Sequence, residues 1–141
     1  MEDLVFPKES KILVVDDMRV MRRLVSNFLR SMGYHNLIEG GDGEDAMRHL
    51  VTMKREKTPI DLVIIDWNMP QTDGIEFLQR VRNHDDFSKL PVIFVTAEAD
   101  ANHIAEAKRV GVDAYITKPF ELDELKRQMS NVFKKKRLAQ H

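Results

Sequence analysis

Three short runs of apolar, mostly β-branched residues limit what this chain can fold into. They are KILVV (11–15), LVII (62–65) and PVIFV (91–95). Each run is apolar on both faces, which is typical of parallel strands buried on both sides of a sheet. Two weaker runs, NLIE (36–39) and AYIT (114–117), have the mixed character of strands nearer a sheet edge. The sequence therefore predicts five strands, three of them central.

Segments of helical length separate these runs. After the first run, apolar residues recur at three- and four-residue spacing from Met21 to Met32, and Gly33 follows as a helix stop. Further helices are predicted over 43–55, 73–83, 100–110 and 121–134. Strands that alternate with helices indicate an α/β fold, because parallel neighbours need long, right-handed crossover connections. We therefore predict a doubly wound, five-stranded parallel sheet flanked by five helices.

The composition of the 141-residue chain narrows the class of protein. Its 22 basic and 23 acidic residues nearly cancel, so no overall charge favours nucleic acid or an anionic membrane. The chain has no cysteine, which is compatible with a reducing cytoplasm and excludes a thiolate zinc site. No apolar run approaches the ~18 to 20 residues of a membrane span. We expect a cytoplasmic, single-domain protein that binds neither nucleic acid nor membrane.

Chemically capable side chains follow four of the five predicted strands. Asp16 and Asp17 follow the first strand, Asp66 the third and Thr96 the fourth, and Lys118 lies at the end of the fifth. Ligands of doubly wound sheets bind beyond the carboxyl ends of the strands, so these residues are predicted to meet at one edge. If the first and third strands are neighbours, three carboxylates converge there, and protonation or a cation must relieve their repulsion. Oxygen ligands without nearby His or Cys favour Mg²⁺, with open positions for a phosphoryl group.

Each of these residues also has a purely structural interpretation. Asp17 is suited to cap the first helix, and Asp66 is suited to begin a turn. Thr96 is suited to a strand end, and a lysine before a proline, such as Lys118, is commonly a surface residue. The convergence of all of them on one sheet edge favours a functional site over a set of separate structural roles.

Four motifs carry a resemblance to a known family. They are DD (16–17), D-x-x-M-P-x-x-D-G (66–74), TA (96–97) and KPF (118–120). In this order and spacing, the chain resembles the receiver domains of two-component response regulators, and most of all the single-domain, CheY-like chemotaxis regulators. The resemblance implies the flavodoxin-like strand order 2-1-3-4-5, of which CheY is itself a standard example. The predicted division is an N-terminal extension (1–10), a receiver domain (11–134) and a basic C-terminal tail (135–141).

The resemblance implies a role for each residue of the predicted site. Asp66 corresponds to the phosphoacceptor, which also faces the metal. Asp17 corresponds to a direct Mg²⁺ ligand, Asp16 to a carboxylate acting through metal-bound water, and Asn68 to a backbone carbonyl ligand. Lys118 corresponds to the cation that binds the phosphoryl group. These roles agree with the chemistry, because a carboxylate that attacks phosphorus needs positive charge on the phosphoryl oxygens.

The resemblance also implies how a signal enters and leaves. A histidine kinase supplies the phosphoryl group, the switch hydroxyl of Thr96 moves toward it, and the switch aromatic Tyr115 turns inward. This reshapes the face formed by the fourth helix, fifth strand and fifth helix. A flagellar motor switch protein is expected to bind this face, and the receiver itself is expected to be a monomer. Asn68 and Glu98 match positions that face the water attacking the acyl phosphate, which implies a short-lived signal.

Three other functions share features with this sequence. Aspartate-based phosphatases also form acyl phosphates, but they carry a second acid two residues after the nucleophile, where this chain has Asn68. A flavin-binding module would need a phosphate-cradling loop after the first strand, where this chain has two acids. A single-domain phosphorelay intermediate, or a receiver that regulates another protein target, is the alternative within the family. We expect a signalling domain with self-catalysed phosphorylation and dephosphorylation, rather than an enzyme.

Overall fold

The computed structural model describes residues 5–67, 73–97 and 101–139, in which strands and helices alternate from β1 to α5. The strands are β1 (Ile12–Val15), β2 (Leu37–Gly40), β3 (Leu62–Asp66), β4 (Val92–Thr96) and β5 (Ala114–Thr117). The helices are α1 (Arg19–Ser31), α2 (Gly43–Arg55), α3 (Gly74–Asn83), α4 (Ala101–Val110) and α5 (Leu122–Ala139). None of the helices in these ranges is both long and apolar enough to cross a membrane.

The strands form one parallel sheet in the order β2-β1-β3-β4-β5. This confirms the predicted fold class and strand order. β1 and β3 are hydrogen-bonded neighbours, with Val15 in register with Ile65. The carboxyl ends of these two strands therefore lie side by side, which is the condition on which the predicted carboxylate site depended.

Alternate residues of each central strand enter two separate cores. Val63 and Ile65 of β3 pack with α2, α3 and α4, whereas Leu62 and Ile64 pack with α1 and α5. All four side chains are buried. Burial on both faces explains why the central strands read as continuous apolar runs rather than as alternating ones.

Helix ends follow local signals in one case and distant contacts in another. Gly33 follows α1 with φ +98°, a conformation that glycine adopts without strain, as expected of a helix stop. α5 continues to Ala139, beyond its predicted end at residue 134. Lys136 lies in this extra length, and its Nζ is 3.1 Å from Asp113 Oδ1. Just before the predicted end, the Phe133 ring lies 5.1 Å from the Phe6 ring.

Asp113 is the centre of a partly buried ionic cluster at the amino ends of β4 and β5. Its Oδ2 accepts hydrogen bonds from Arg82 Nη2 at 3.0 Å and from the Val92 backbone N–H at 2.8 Å. Lys136 contacts the other carboxylate oxygen. Arg82 also donates to the carbonyls of Leu90 and Gly111. We call Asp113, Arg82 and Lys136 the Asp113 cluster; it ties α3, α5 and two strands together.

The segment before β1 packs against the same end of the sheet. Phe6 is buried, and its carbonyl accepts a 2.8 Å hydrogen bond from the Tyr34 hydroxyl. Lys8 Nζ lies 4.6 Å from the centroid of the Tyr34 ring and donates to the carbonyl of Met32 at 2.8 Å. The division of the chain at residues 10 and 134 stays a prediction.

Candidate functional site

The carboxyl ends of the strands bring the predicted site residues to one edge of the sheet. Asp66 is the last residue of β3, and Asp16 and Asp17 directly follow β1. Thr96 is the last residue of β4, and Lys118 directly follows β5. The backbone N–H of Lys118 donates to the Thr96 carbonyl at 2.8 Å, which holds the two strand ends together.

Three carboxylates crowd together at this edge. One carboxylate oxygen from each of Asp16, Asp17 and Asp66 lies within 4.8 Å of the other two. Asp16 and Asp66 are buried, and Asp17 is exposed. The group is therefore open to solvent at Asp17, whereas its other two members are shielded from solvent.

Lys118 supplies positive charge to the two buried carboxylates. Its Nζ lies 3.2 Å from Asp66 Oδ2 and 3.4 Å from Asp16 Oδ2. The lysine side chain is only 17% exposed, so it is not the ordinary surface lysine of the structural interpretation. A cation between two buried carboxylates can also contact an anionic group that enters from solvent.

Asp16 is held in place by its neighbours in the turn after β1. Its Oδ1 accepts from the Met18 backbone N–H at 2.8 Å, and its carbonyl accepts from Arg22 Nη1 at 2.5 Å. Burial raises the pKa of the Asp16 carboxyl, and the charge of Asp66 raises it further. The Met18 hydrogen bond and Lys118 oppose this shift of the pKa. Asp16 is thus a carboxylate whose charge is costly in this environment.

Asp17 does not cap the first helix. The N-cap residue of α1 is Met18, which makes no side-chain capping hydrogen bond. The Asp17 carboxylate instead lies beside those of Asp16 and Asp66, which together form the acidic group. Its structural interpretation is therefore wrong, and its position fits the binding of a cation.

The donor set suits a hard divalent cation. Its atoms are carboxylate oxygens, and crowded carboxylates repel one another unless a cation or a proton lies among them. Magnesium prefers such oxygen ligands, takes one or two carboxylates and keeps several water molecules. The open side at Asp17 leaves room for those waters. The residues present therefore fit Mg²⁺.

The predicted switch residues lie on β4 and β5. Thr96 is fully buried and is in register with Thr117. Tyr115 is in register with Phe94, is half-buried, and packs against the core that faces α2, α3 and α4. Asn68 and Glu98, the predicted metal ligand and water-facing residues, lie outside the described residues. Their predicted roles stay predictions.

Comparison with known proteins decides the family. The sequence model of the response regulator receiver domain matches residues 12–130. The chain belongs to this family. The match covers all five strands and the first half of α5, and it includes Asp16, Asp17 and Asp66.

Individual relatives of this receiver domain are chemotaxis proteins. It is 40% identical over 133 residues to chemotaxis protein CheY-3 of Vibrio cholerae, covering 94% of this chain and 98% of the relative. The solved structure of Vibrio cholerae chemotaxis protein CheY4 matches with 31% identity and a TM-score of 0.77, over 88% of this chain and 98% of that one. A chain of the CheX–CheY–BeF3–Mg²⁺ complex from Borrelia burgdorferi matches with 25% identity and a TM-score of 0.77, over 88% and 89%.

Three residues around the site of this receiver domain escaped the sequence analysis. Arg22 bonds the Asp16 carbonyl and also pairs with Glu39. Trp67 follows Asp66 and contacts His103 of α4. A ring contact between residues far apart in the sequence leaves no spacing pattern. The position of Trp67, next to the predicted phosphoacceptor, was the one signal available.

Proposed function

We propose that this receiver domain is a chemotaxis response regulator that accepts a phosphoryl group on Asp66. The observation that supports this most directly is the position of Asp66: buried at the end of β3, 3.2 Å from Lys118 Nζ, and grouped with Asp16 and Asp17. Similarity to chemotaxis protein CheY-3 over 94% of this chain supports the chemotaxis role. A receiver is a signalling domain, and the reaction at Asp66 serves the signal rather than a substrate.

In the proposed reaction, a carboxylate oxygen of Asp66 attacks phosphorus. A bond forms between this oxygen and phosphorus while the bond from phosphorus to the donor, a histidine kinase, breaks and leaves its electron pair on the donor. Lys118 is positioned to bind one phosphoryl oxygen, because its Nζ already contacts Asp66, the residue that receives the phosphoryl group. The Thr96 hydroxyl, at the end of the neighbouring strand, is proposed to donate to another.

Asp16, Asp17, Asp66 and the Asn68 carbonyl are proposed to hold Mg²⁺. The cation would neutralise phosphoryl oxygens as Asp66 attacks. The Borrelia complex, with BeF3 and Mg²⁺ in its printed description, supports this use of the acidic group. Asp17 is the exposed member, and we propose it as the ligand that the incoming cation meets first.

Intact mass spectrometry tests the phosphoacceptor. Wild type incubated with a small phosphodonor and Mg²⁺ is expected to gain one phosphoryl group, and Asp66→Asn is expected to gain none. Asp86→Asn, which changes an exposed carboxylate away from the site, is the matched control and should behave as wild type. Equal uptake by Asp66→Asn and wild type would contradict the assignment.

For the output, we propose that the face of α4, β5 and α5 binds a flagellar motor switch protein. A groove on this face is lined by Lys108, Tyr115, Phe120, Glu124, Gln128 and Lys135. Movement of Thr96 toward the phosphoryl group and rotation of Tyr115 would reshape this groove. Tyr115 is half-buried and lines this groove, so a rotation of its side chain would change the groove's surface.

A pull-down from cytosol tests the output, using wild type and Thr96→Ala, each with and without beryllium fluoride and Mg²⁺. We expect a motor switch protein with activated wild type alone. Recovery of a histidine phosphotransfer protein instead would favour the phosphorelay alternative. The absence of any partner that depends on activation would contradict the switch.

A further inference from the structure

The tryptophan that follows Asp66 makes an edge contact with a histidine of α4. The ring centroids of Trp67 and His103 are 5.3 Å apart, and the ring planes meet at 84°. We propose that His103 is a positioning residue that acts through Trp67: their contact favours the unphosphorylated position of α4 and so lowers the affinity of the Asp66 site for a phosphoryl group. This inference rests on the proposed function and adds a residue outside the sheet edge.

Trp67 is the fixed partner in this contact. Its backbone N–H donates to the Val95 carbonyl at 3.2 Å, and its own carbonyl accepts from the Gly74 N–H at 2.9 Å. Its ring packs on Phe94 at 5.1 Å, and the residue is 5% exposed. A Cβ added to Gly74 would lie 3.0 Å from Trp67 Cα, so the packing here leaves no spare room. The Trp67 ring therefore cannot easily follow a displaced neighbour.

α4 is the loosely attached partner. Of the residues described in α4, Ala107 alone is buried, whereas α3 buries Gly74, Ile75, Phe77, Leu78 and Val81. A helix with little buried apolar surface is held by few interactions and can shift at low cost. The half-buried His103, in the first turn of α4, contacts Trp67 at the end of the helix that lies near the site.

The proposed switch acts on the chain that leads into α4. β4 ends at Thr96, and α4 begins at Ala101. Movement of Thr96 toward a phosphoryl group would shift the start of α4 relative to the fixed Trp67 ring, so the contact with His103 would be weakened. A contact that is stronger in the unphosphorylated state than in the phosphorylated state opposes activation. It does so because a ligand shifts the balance between two states only by the difference in its affinity for them.

Binding of beryllium fluoride at fixed Mg²⁺ concentration tests this inference. Trp67 is the single tryptophan of the chain and adjoins Asp66, so its fluorescence reports the titration midpoint. His103→Ala is expected to bind about three- to tenfold more tightly than wild type, the range set by one aromatic contact. His103→Phe retains a ring and should stay close to wild type. His84→Ala is the matched control, because the contact of His84 with Phe87 at 4.6 Å lies beyond the far end of α3.

Each other outcome overturns the inference. Unchanged or weaker binding by His103→Ala, with normal binding by wild type, removes the role of His103 and leaves the proposed function intact. Equal tightening in His84→Ala would show that loss of any such contact loosens the protein. If wild type does not bind, or if Asp66→Asn binds as well as wild type, the proposed function fails and this inference fails with it.

Discussion

Buried carboxylates lie at both ends of the sheet, and their surroundings differ. At the amino ends of the strands, Asp113 contacts Arg82, Lys136 and the backbone N–H of Val92, all within 3.1 Å. At the carboxyl ends, Asp16 and Asp66 both approach Lys118, at 3.4 and 3.2 Å, and Asp17 joins them. Among the described residues, one carboxylate thus meets two cations at the amino ends, whereas at the carboxyl ends two buried carboxylates share one lysine beside a third carboxylate.

The difference separates a structural use of charge from a functional one. A buried carboxylate surrounded by cations and donors stabilises the fold, and removing it leaves the cations uncompensated. Crowded carboxylates repel one another, and the repulsion is relieved when a cation arrives. The Asp113 cluster should therefore matter most for stability, and the acidic group should matter most for binding.

The largest expected effect is at the Asp113 cluster. Asp113→Ala leaves Arg82 and Lys136 facing each other without their acid, and we expect a loss of about 3 kcal/mol in the free energy of unfolding. Urea denaturation followed by circular dichroism measures it. Glu44→Ala, which removes the 69% exposed partner of Arg80, is the control and should change stability by less than ~0.5 kcal/mol. Similar losses in both variants would break the comparison.

Magnesium should stabilise the protein through the other end of the sheet. At a free Mg²⁺ concentration of about 100 times its Kd, the free energy of unfolding should rise by about 2.7 kcal/mol. The rise should be much smaller in Asp17→Asn, which loses a charged ligand without a change of side-chain size. Denaturation with and without Mg²⁺ at constant ionic strength measures it. An equal rise in both proteins would contradict the ligand role of Asp17.

Asp16→Asn should have an effect opposite in sign to Asp113→Ala. Without metal, the variant should be about 0.5 to 2 kcal/mol more stable than wild type, because a costly buried charge is removed. The amide oxygen can still accept from the Met18 N–H, so the turn after β1 is retained. Thermal unfolding in the presence of a chelator measures the difference. A loss of stability would show that Asp16 resembles Asp113 after all.

An effect of one lost hydrogen bond is expected from a neutral group at the same end as Asp113. Tyr34→Phe leaves the buried Phe6 carbonyl without its donor and should cost about 1 kcal/mol. Burial raises the pKa of the Tyr34 hydroxyl above its usual 10.0, so its contribution is present at neutral pH and is lost as pH rises through the raised pKa. Denaturation at neutral and alkaline pH should therefore show a gap that narrows with pH. A constant gap would contradict the ionisation argument.

Local patterns predicted the sheet and the site, and distant contacts were invisible to them. Asp66 was placed at the end of a strand because a run of four apolar residues precedes it. The end of α5 was not predicted because Lys136 is held by Asp113, which no local pattern links to it.

The structure was also required to distinguish the environments of two adjacent acids, Asp16 and Asp17. Asp16 is buried and Asp17 is exposed, although both directly follow the same strand. The sequence predicted that both would lie at the site, but it could not tell which carboxylate is shielded from water. The contact of His103 with Trp67, 36 positions away in the sequence, was likewise beyond any spacing rule.

Because strand residues alternate between two cores, the position of each residue along a central strand determines which core its side chain enters. Val63 and Ile65 enter one core, and Leu62 and Ile64 enter the other. Deleting one residue from β3 would exchange the two sets and would also draw Asp66 back from the edge of the sheet. Changes of length are therefore tolerable where the chain turns between elements but not within β3. We therefore expect differences in length among receiver domains to lie mainly in the loops between elements, where they can change the binding of partners and leave the site residues in place.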